Sequence, residues 1–326
     1  MRCFSNESVK IPSAVGSSSP VRLNSTSAAR FLLRGNGNLV WARSRKKNCL
    51  QIHATFSPPM QKAMDIYILI LLCSQQTIAR EQEKHFLSLI GISRVYTLSS
   101  GCRADKQQSR NHLTEFRMLE AEIAFCESLD DLMAVPEDFL RFCIRYVLNT
   151  PDVIRDFQSL GAFSTMDHLS VIRSIVDGPA FPRLTFADAF KLLSDKNQRV
   201  TGSGLSKQNE AFLVEYHKSP VFITHFPSNQ KPFYMLRSSN GDTTESFDLL
   251  CPGVCELAGG SIREPSAERL RERNSSIDWY AEIRERGKPI SGGFGMGFER
   301  LLQLLLGIQN IKDTIPFPRW FKHCQC

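Results

Sequence analysis

The run Gly292-Gly-Phe-Gly-Met-Gly-Phe-Glu-Arg300 sets glycines at alternate positions, Gly293, Gly295 and Gly297, with large apolar residues between them. In a strand, successive side chains face opposite sides. One face would therefore be stripped to backbone, while Phe294, Met296 and Phe298 enter the core. Arg300 would fall in the first turn of an apolar helix predicted from Glu299 to Leu306, pointing back over the bare face. A planar base fits such a floor beneath a guanidinium.

Two further stretches carry the right residue types. Asp248 and Glu256 flank the turn residues Pro252-Gly253, and two carboxylates so placed can hold a Mg²⁺ that also takes phosphate oxygens. Gly259 and Gly260 follow and let the backbone approach a ligand closely. Arg263, in an otherwise apolar strand, requires an anionic or carbonyl partner. Earlier, Cys102-Arg-Ala-Asp105 precedes a polar loop and a strand opening with His112 and Phe116. That would gather a guanidinium, a carboxylate, an imidazole and a ring at one cavity. Arginine grips phosphate bidentately, and an aromatic face stacks on a purine. Taken singly, the two stretches also suit a bulged strand with surface charges and a polar surface hairpin.

The elements that must position these groups are legible in outline. A helix is predicted over Glu81 to Ile92, then a strand at Ser93 to Thr97. Alternating residues from Asn111 lead into an amphipathic stretch reaching Ala134. The clearest helix is Pro136 to Leu148, with Phe139, Leu140, Cys143, Ile144 and Val147 on one stripe and proline near its start. Another helix is expected over Thr185 to Leu193, and Gly202-Ser-Gly204 reads as a break. Strands are predicted at Val221 to Thr224, Phe233 to Leu236 and Ser246 to Leu250. With no βαβ rhythm, the plan is α+β, an antiparallel sheet flanked by helices.

Composition bounds the rest. The chain has 326 residues and a formal charge of +7. Ten Lys or Arg and a single acid, Glu7, lie in residues 1 to 64, so the remaining body is net −2 and gives no general support to polyanion binding. The longest apolar run, Ile66 to Cys73, is too short to span a bilayer, so no membrane partner is expected. The ten cysteines show no zinc-finger spacing and read as reduced thiols. Residues 1 to 60, rich in serine and arginine and poor in acids, read as a disordered, transit-peptide-like segment, with a basic arm as the alternative. The predicted destination is the chloroplast and/or mitochondrion, otherwise the cytoplasm.

Taken together, the three stretches resemble motifs 2 and 3 of the class II aminoacyl-tRNA synthetases, with the intervening Glu-x-x-Gly-Gly-Ser-x-Arg element. More narrowly they resemble the asparaginyl enzymes, through Arg117-Met-Leu-Glu-Ala-Glu-Ile-Ala-Phe125, Pro252-Gly-Val-Cys-Glu-Leu-Ala-Gly-Gly-Ser261 and Ile315-Pro-Phe-Pro-Arg319. The resemblance covers roughly residues 93 to 319, within a catalytic domain set at 61 to 326. It implies ATP-dependent activation of asparagine to an adenylate and transfer to tRNA. Arg103 and Arg300 would be catalytic. Asp105, His112, Phe116, Glu256 and Gly297 would join them around ATP, Glu115 and Arg263 would bind the amino acid, and Asp248 and Glu256 would bind Mg²⁺.

Departures from the family pattern are Cys102 for Phe, Asp105 for Glu, Asn111 where Arg is usual, Ser291 where His is common, and Lys207-Gln-Asn-Glu210 for Glu-His-Glu-Arg. Motif 1 is not recognisable, and no anticodon-binding barrel is expected. The partners implied are tRNA, asparagine, and a second copy or a full-length subunit. Two other readings use the same residues: an inactive or regulatory paralogue that binds ATP or a full-length subunit, and a tRNA-independent adenylate-forming enzyme.

Overall fold

The computed structural model describes residues 93–103, 109–152, 154–155, 166–200 and 204–320, together with the backbone of four N-terminal strands. These are β1 (Arg30–Gly35), β2 (Asn38–Arg45), β3 (Cys49–Thr55) and β4 (Ile70–Leu72), which pair in that order as a separate antiparallel sheet. The leader read as disordered thus carries backbone strands over part of its length. The helix expected over Glu81 to Ile92 and most of the Gly202-Ser-Gly204 break lie outside the described residues.

The main sheet has seven strands: β5 (Arg94–Cys102), β6 (Glu115–Ala124), β7 (Arg183–Thr185), β8 (Val221–Thr224), β9 (Ser246–Cys251), β10 (Cys255–Ile262) and β11 (Ser291–Gly297). Their order is β5-β6-β11-β10-β9-β8-β7, antiparallel throughout except for the parallel pair β7 and β8. The mixed α+β plan expected from the sequence is what forms. The last long strand, β11, inserts between β6 and β10, so the C-terminal glycine run lies at the centre of the sheet.

One face of the sheet is filled. Phe247, Leu249, Ala258, Ile262, Phe294 and Met296 point into a core closed by helices α1 (Leu129–Leu148), α2 (Met166–Asp177) and α7 (Phe298–Leu306). Helix α1 starts seven residues before the predicted Pro136. Ser128 caps it, its side chain accepting the N–H groups of Asp130 and Asp131 at 3.2 and 3.3 Å. Pro136 is therefore interior and buried. The cap and the apolar contacts of Leu132, Met133, Leu140 and Ile144 outweigh the one hydrogen bond that proline removes. Buried Arg141 reaches from α1 to the end of α2, donating to the carbonyls of Ile175, Val176 and Gly178 at 2.5, 2.9 and 3.1 Å. A cation there meets the negative end of the helix.

The opposite face is covered only in part. Helices α3 (Phe186–Asp195) and α4 (Lys207–His217) pack on β8 and β9 through Leu193, Leu213, Val221, Ile223 and Leu250. Two short helices, α5 (Ala267–Arg273) and α6 (Asp278–Glu285), form a satellite cluster around Leu270 and Tyr280. Phe233 to Leu236 is not a strand. Met235 makes a single bridge to Arg263, because the segment turns at Pro232, whose carbonyl accepts the Met235 N–H at 3.3 Å.

Candidate active site

The uncovered centre of the sheet is floored by glycine. Phe294 and Met296 are buried below, so Gly293, Gly295 and Gly297 face upward as their alternation requires. In register, Gly295 stands between Glu120 of β6 and Gly259 of β10, and Gly259 stands opposite Asp248 of β9. The nearest atoms to a β-carbon on Gly295 would be those of Met118, at 3.5 Å and beyond, and to one on Gly297 those of the Arg300 side chain, at 3.7 Å. This end of the floor is open.

Its walls come from both ends of the described chain. Arg103, His112 and Phe116 from the β5–β6 hairpin, with Glu256, Gly295, Gly297 and Arg300, line one open cleft, about 610 Å³ with the solvent at its mouth included. The Arg103 guanidinium lies 5.3 Å from the centre of the Phe116 ring. Arg300 donates to the Glu256 carbonyl and stands 3.6 Å from its carboxylate. Glu299 aims Arg300. Its buried carboxylate accepts the Arg117 N–H through both oxygens, at 3.0 and 2.9 Å, and so pins the first turn of α7 to β6. The hairpin is held in turn by the C-terminal segment, through Thr114 N–H to Arg319 O and Ile311 N–H to Arg110 O, both 2.8 Å. His112 is oriented by Ser109, 2.5 Å from its Nδ1.

Three acids crowd the far side of the cavity. Asp248 and Glu256 converge on Gly259, where a β-carbon would be 3.0 Å from one carboxylate and 3.8 Å from the other. Simple alternation would send Glu256 to the core with Ala258 and Gly260. The ladder between β9 and β10 instead shifts by one residue between Glu256 and Ala258, and this bulge turns Glu256 onto the floor side. Glu210, from the first turn of α4, accepts the Glu256 N–H at 3.3 Å. Each acid has a cation beside it. Lys207 is on Glu210 and Lys231 on Asp248, both at 2.8 Å, with Arg300 on Glu256.

Burial pushes the Asp248 carboxyl up to about 6. Lys231 pulls it down, and Glu256 and Glu210 add to the rise. Burial likewise raises Glu210, with Lys207 opposing. Among the described residues no three His, Cys, Asp or Glu stand close enough to cage a metal. Asp248 and Glu256 are hard oxygen donors, the type that could take Mg²⁺ together with phosphate oxygens.

At the other end of β11 the floor is occupied. A β-carbon on Gly293 would overlap Glu122 Oε2 and stand 2.6 Å from both the Ala121 carbonyl and Arg263 Nη2. Glu122, 3% exposed, accepts from Arg263 Nε and Nη2 on one oxygen at 3.3 and 3.1 Å. Its other oxygen accepts from Lys288 at 3.2 Å and from the Ser291 hydroxyl at 2.7 Å. Arg263 also donates to Ser261 at 2.9 Å and lies 5.3 Å from the Tyr234 ring.

The sequence-predicted residues thus divide. Arg103, His112, Phe116, Glu256, Gly297 and Arg300 share the cavity, and Asp248 joins through Gly259. Arg263 lies one cross-strand row further, on Ser261 and Glu122. Glu115 does not reach the cavity, because it is one residue from Phe116 and faces the other side of β6, bonded to Arg319 at 2.8 Å. Asp105 lies outside the described residues. Sequence reasoning passed over Glu122, Lys288, Lys231 and Glu299. Glu122 stands at an alternate position from Phe116 and Met118, which was signal enough. The lysines gave none, since only tertiary contact brings them in.

Residues 63–321 match the profile of the tRNA synthetases class II (D, K and N). The asparagine–tRNA ligase of Cytophaga hutchinsonii is 37% identical over 246 residues, 72% of this chain and 52% of that protein. A probable mitochondrial asparagine–tRNA ligase of Dictyostelium discoideum is 36% identical over 72% of this chain and 53% of its own. The solved asparaginyl-tRNA synthetase of Entamoeba histolytica, in complex with asparaginyl-adenylate, superposes with a TM-score of 0.64 at 30% identity, covering 75% of this chain and 57% of that one. The chain spans about half the length of the curated relatives it matches.

Proposed function

Because the chain belongs to the class II tRNA synthetases of the D, K and N group, we propose that it activates asparagine with ATP and passes the asparaginyl group from the adenylate to tRNA(Asn). The observation that carries this reading is the open glycine floor at Gly295 and Gly297, set between Arg103 with Phe116 on one side and Arg300 on the other. A purine fits between the Phe116 ring and the Arg300 guanidinium. The phosphates then extend toward Arg103 and toward Asp248 and Glu256.

Activation is in-line attack of the asparagine carboxylate on the α-phosphorus, with pyrophosphate leaving. This needs alignment and charge neutralisation, not a protein nucleophile. Arg103 holds the α-phosphate and the amino-acid carboxylate, and His112 and Arg300 hold the outer phosphates. For ATP to enter, Arg103 leaves the Phe116 ring and Arg300 leaves Glu256. Asp248 and Glu256 would hold Mg²⁺, which when bound would further neutralise phosphate charge. Arg263, steadied by Glu122, offers N–H groups to the side-chain carbonyl of asparagine.

The basic, serine-rich leader supports a place in organellar translation, in the chloroplast and/or mitochondrion, as does the mitochondrial Dictyostelium relative. A second copy or a full-length subunit is the proposed protein partner. No described helix is long and apolar enough to cross a membrane.

ATP–pyrophosphate exchange with and without asparagine tests the reading, followed by charging of tRNA(Asn). Asparagine-dependent exchange with charging is the expected result. Exchange without charging would point to tRNA-independent adenylate formation, and no exchange to an inactive paralogue.

A further inference from the structure

Three of the described residues lining the cleft carry basic side chains: Arg103, His112 and Arg300. A guanidinium has donors only, whereas a neutral imidazole has one N–H and one lone pair. The two arginines therefore meet a phosphate favourably in any orientation. His112 does so only through a ring nitrogen that carries hydrogen, and a bare nitrogen turned to the same phosphate repels it.

The backbone on either side of His112 is fixed. Arg110 O accepts the Ile311 N–H, Thr114 N–H donates to Arg319 O, and Thr114 O accepts the Arg103 N–H, each at 2.8 Å. What remains is the setting of the ring, and Ser109 supplies it. The Ser109 hydroxyl accepts the Asn111 N–H at 3.0 Å and lies 2.5 Å from His112 Nδ1. A hydroxyl has one hydrogen and two lone pairs. With one lone pair taken by Asn111, donating the hydrogen to Nδ1 completes its bonding and leaves the ring hydrogen on Nε2. The reverse pairing, Nδ1–H to the hydroxyl, would set a bare Nε2 against phosphate. If phosphate draws a second proton onto the ring, the hydroxyl accepts from Nδ1–H through its other lone pair, and Nε2 keeps its hydrogen.

Ser109 itself does not line the cleft and acts through the ring. We propose that Ser109 is a positioning residue for the outer phosphates of ATP, holding His112 with Nδ1 turned to its hydroxyl and a hydrogen on Nε2. Nε2 gives up any partner it holds when ATP enters, as Arg103 and Arg300 give up theirs. This rests on the adenylate-forming reading and deepens it by assigning a residue that acts on the site from outside it.

The experiment is calorimetric binding of α,β-methylene ATP, which cannot lose pyrophosphate, and of AMP, which has no outer phosphates, to the full chain with Mg²⁺. Ser109→Ala is expected to weaken binding of the ATP analogue about two- to ten-fold, the worth of one net hydrogen bond, and to leave AMP binding unchanged. Ser109→Thr keeps the hydroxyl and should bind as the wild type does. With His112→Ala in place, Ser109→Ala should add no further loss. In the nucleotide-free protein at pH 8, the ¹⁵N spectrum of the ring should show His112 protonated on Nε2 and bare on Nδ1. Equal weakening of AMP, a loss that persists beside His112→Ala, no loss at all, or a hydrogen predominantly on Nδ1 would each overturn the assignment while ATP binding stands. If the wild type binds neither nucleotide, the adenylate-forming reading fails and this inference with it.

Discussion

The two ends of β11 present the same residue on the same face and use it differently. At Gly293 the missing side chain makes room for the protein's own buried charges, Glu122 and Arg263. At Gly295 and Gly297 it leaves space that no neighbouring group fills. The first end is already satisfied, with four hydrogen bonds on one carboxylate. The second holds its charges in provisional pairings, Arg103 against a ring and Arg300 against Glu256. One end therefore fixes Arg263 through the protein's own pairings, and the other is where charges in provisional pairs can exchange partners with a ligand.

Alanine at each position breaks or sharpens this contrast most directly. Gly293→Ala should force Glu122 and Arg263 apart and cost about 3–5 kcal/mol of stability, the usual penalty for breaking a buried pair, read by denaturant unfolding. Gly295→Ala meets only ordinary contacts, so its unfolding should change by no more than about 0.5 kcal/mol. Its exchange activity should nevertheless collapse, because the new methyl rises into the cavity. Equal stability losses in the two variants would end the distinction.

Arg103→Ala and Arg300→Ala should each lower exchange by about 10²–10³, the range for loss of one preorganised charge donor, while melting near the wild-type temperature. Activity left intact in either would place the reaction elsewhere. The acid cluster gives a pH test. The folded-state value of Asp248 lies above its ordinary 3.8, at about 6, so its ionised form costs stability as pH rises through about 6. Divalent-cation affinity, followed with Mn²⁺, should fall about ten-fold per pH unit below that value, as protons compete for the carboxylate. A flat profile would exclude Asp248 as a ligand. The smallest effect is a control remote from both ends. Ser128→Ala should remove about 1 kcal/mol through loss of the α1 cap and leave the KM for ATP unchanged.

Much of this arrangement could be read in advance, and the misses have physical causes. Alternation told which face of β11 would be bare, because a strand has no other way to place its side chains. The start of α1 differs from the expectation because Pro136 resembles a first-turn proline, while the cap eight residues earlier outweighs it. Glu256 reaches the floor only through a bulge, which strict alternation cannot foresee. Glu115 lies within the matching motif, yet strand parity turns it toward Arg319.

By itself the sequence determined the glycine periodicity, the residues able to grip phosphate and the segments that mark the family, since these depend on local backbone geometry and side-chain chemistry. Tertiary structure alone decided which charges meet. Lys231 comes to Asp248, Lys288 to Glu122 and Glu299 to the Arg117 N–H across separations of 17, 166 and 182 residues. Such pairings are fixed by the order of strands in the sheet, and that order follows from how the whole chain buries its apolar face.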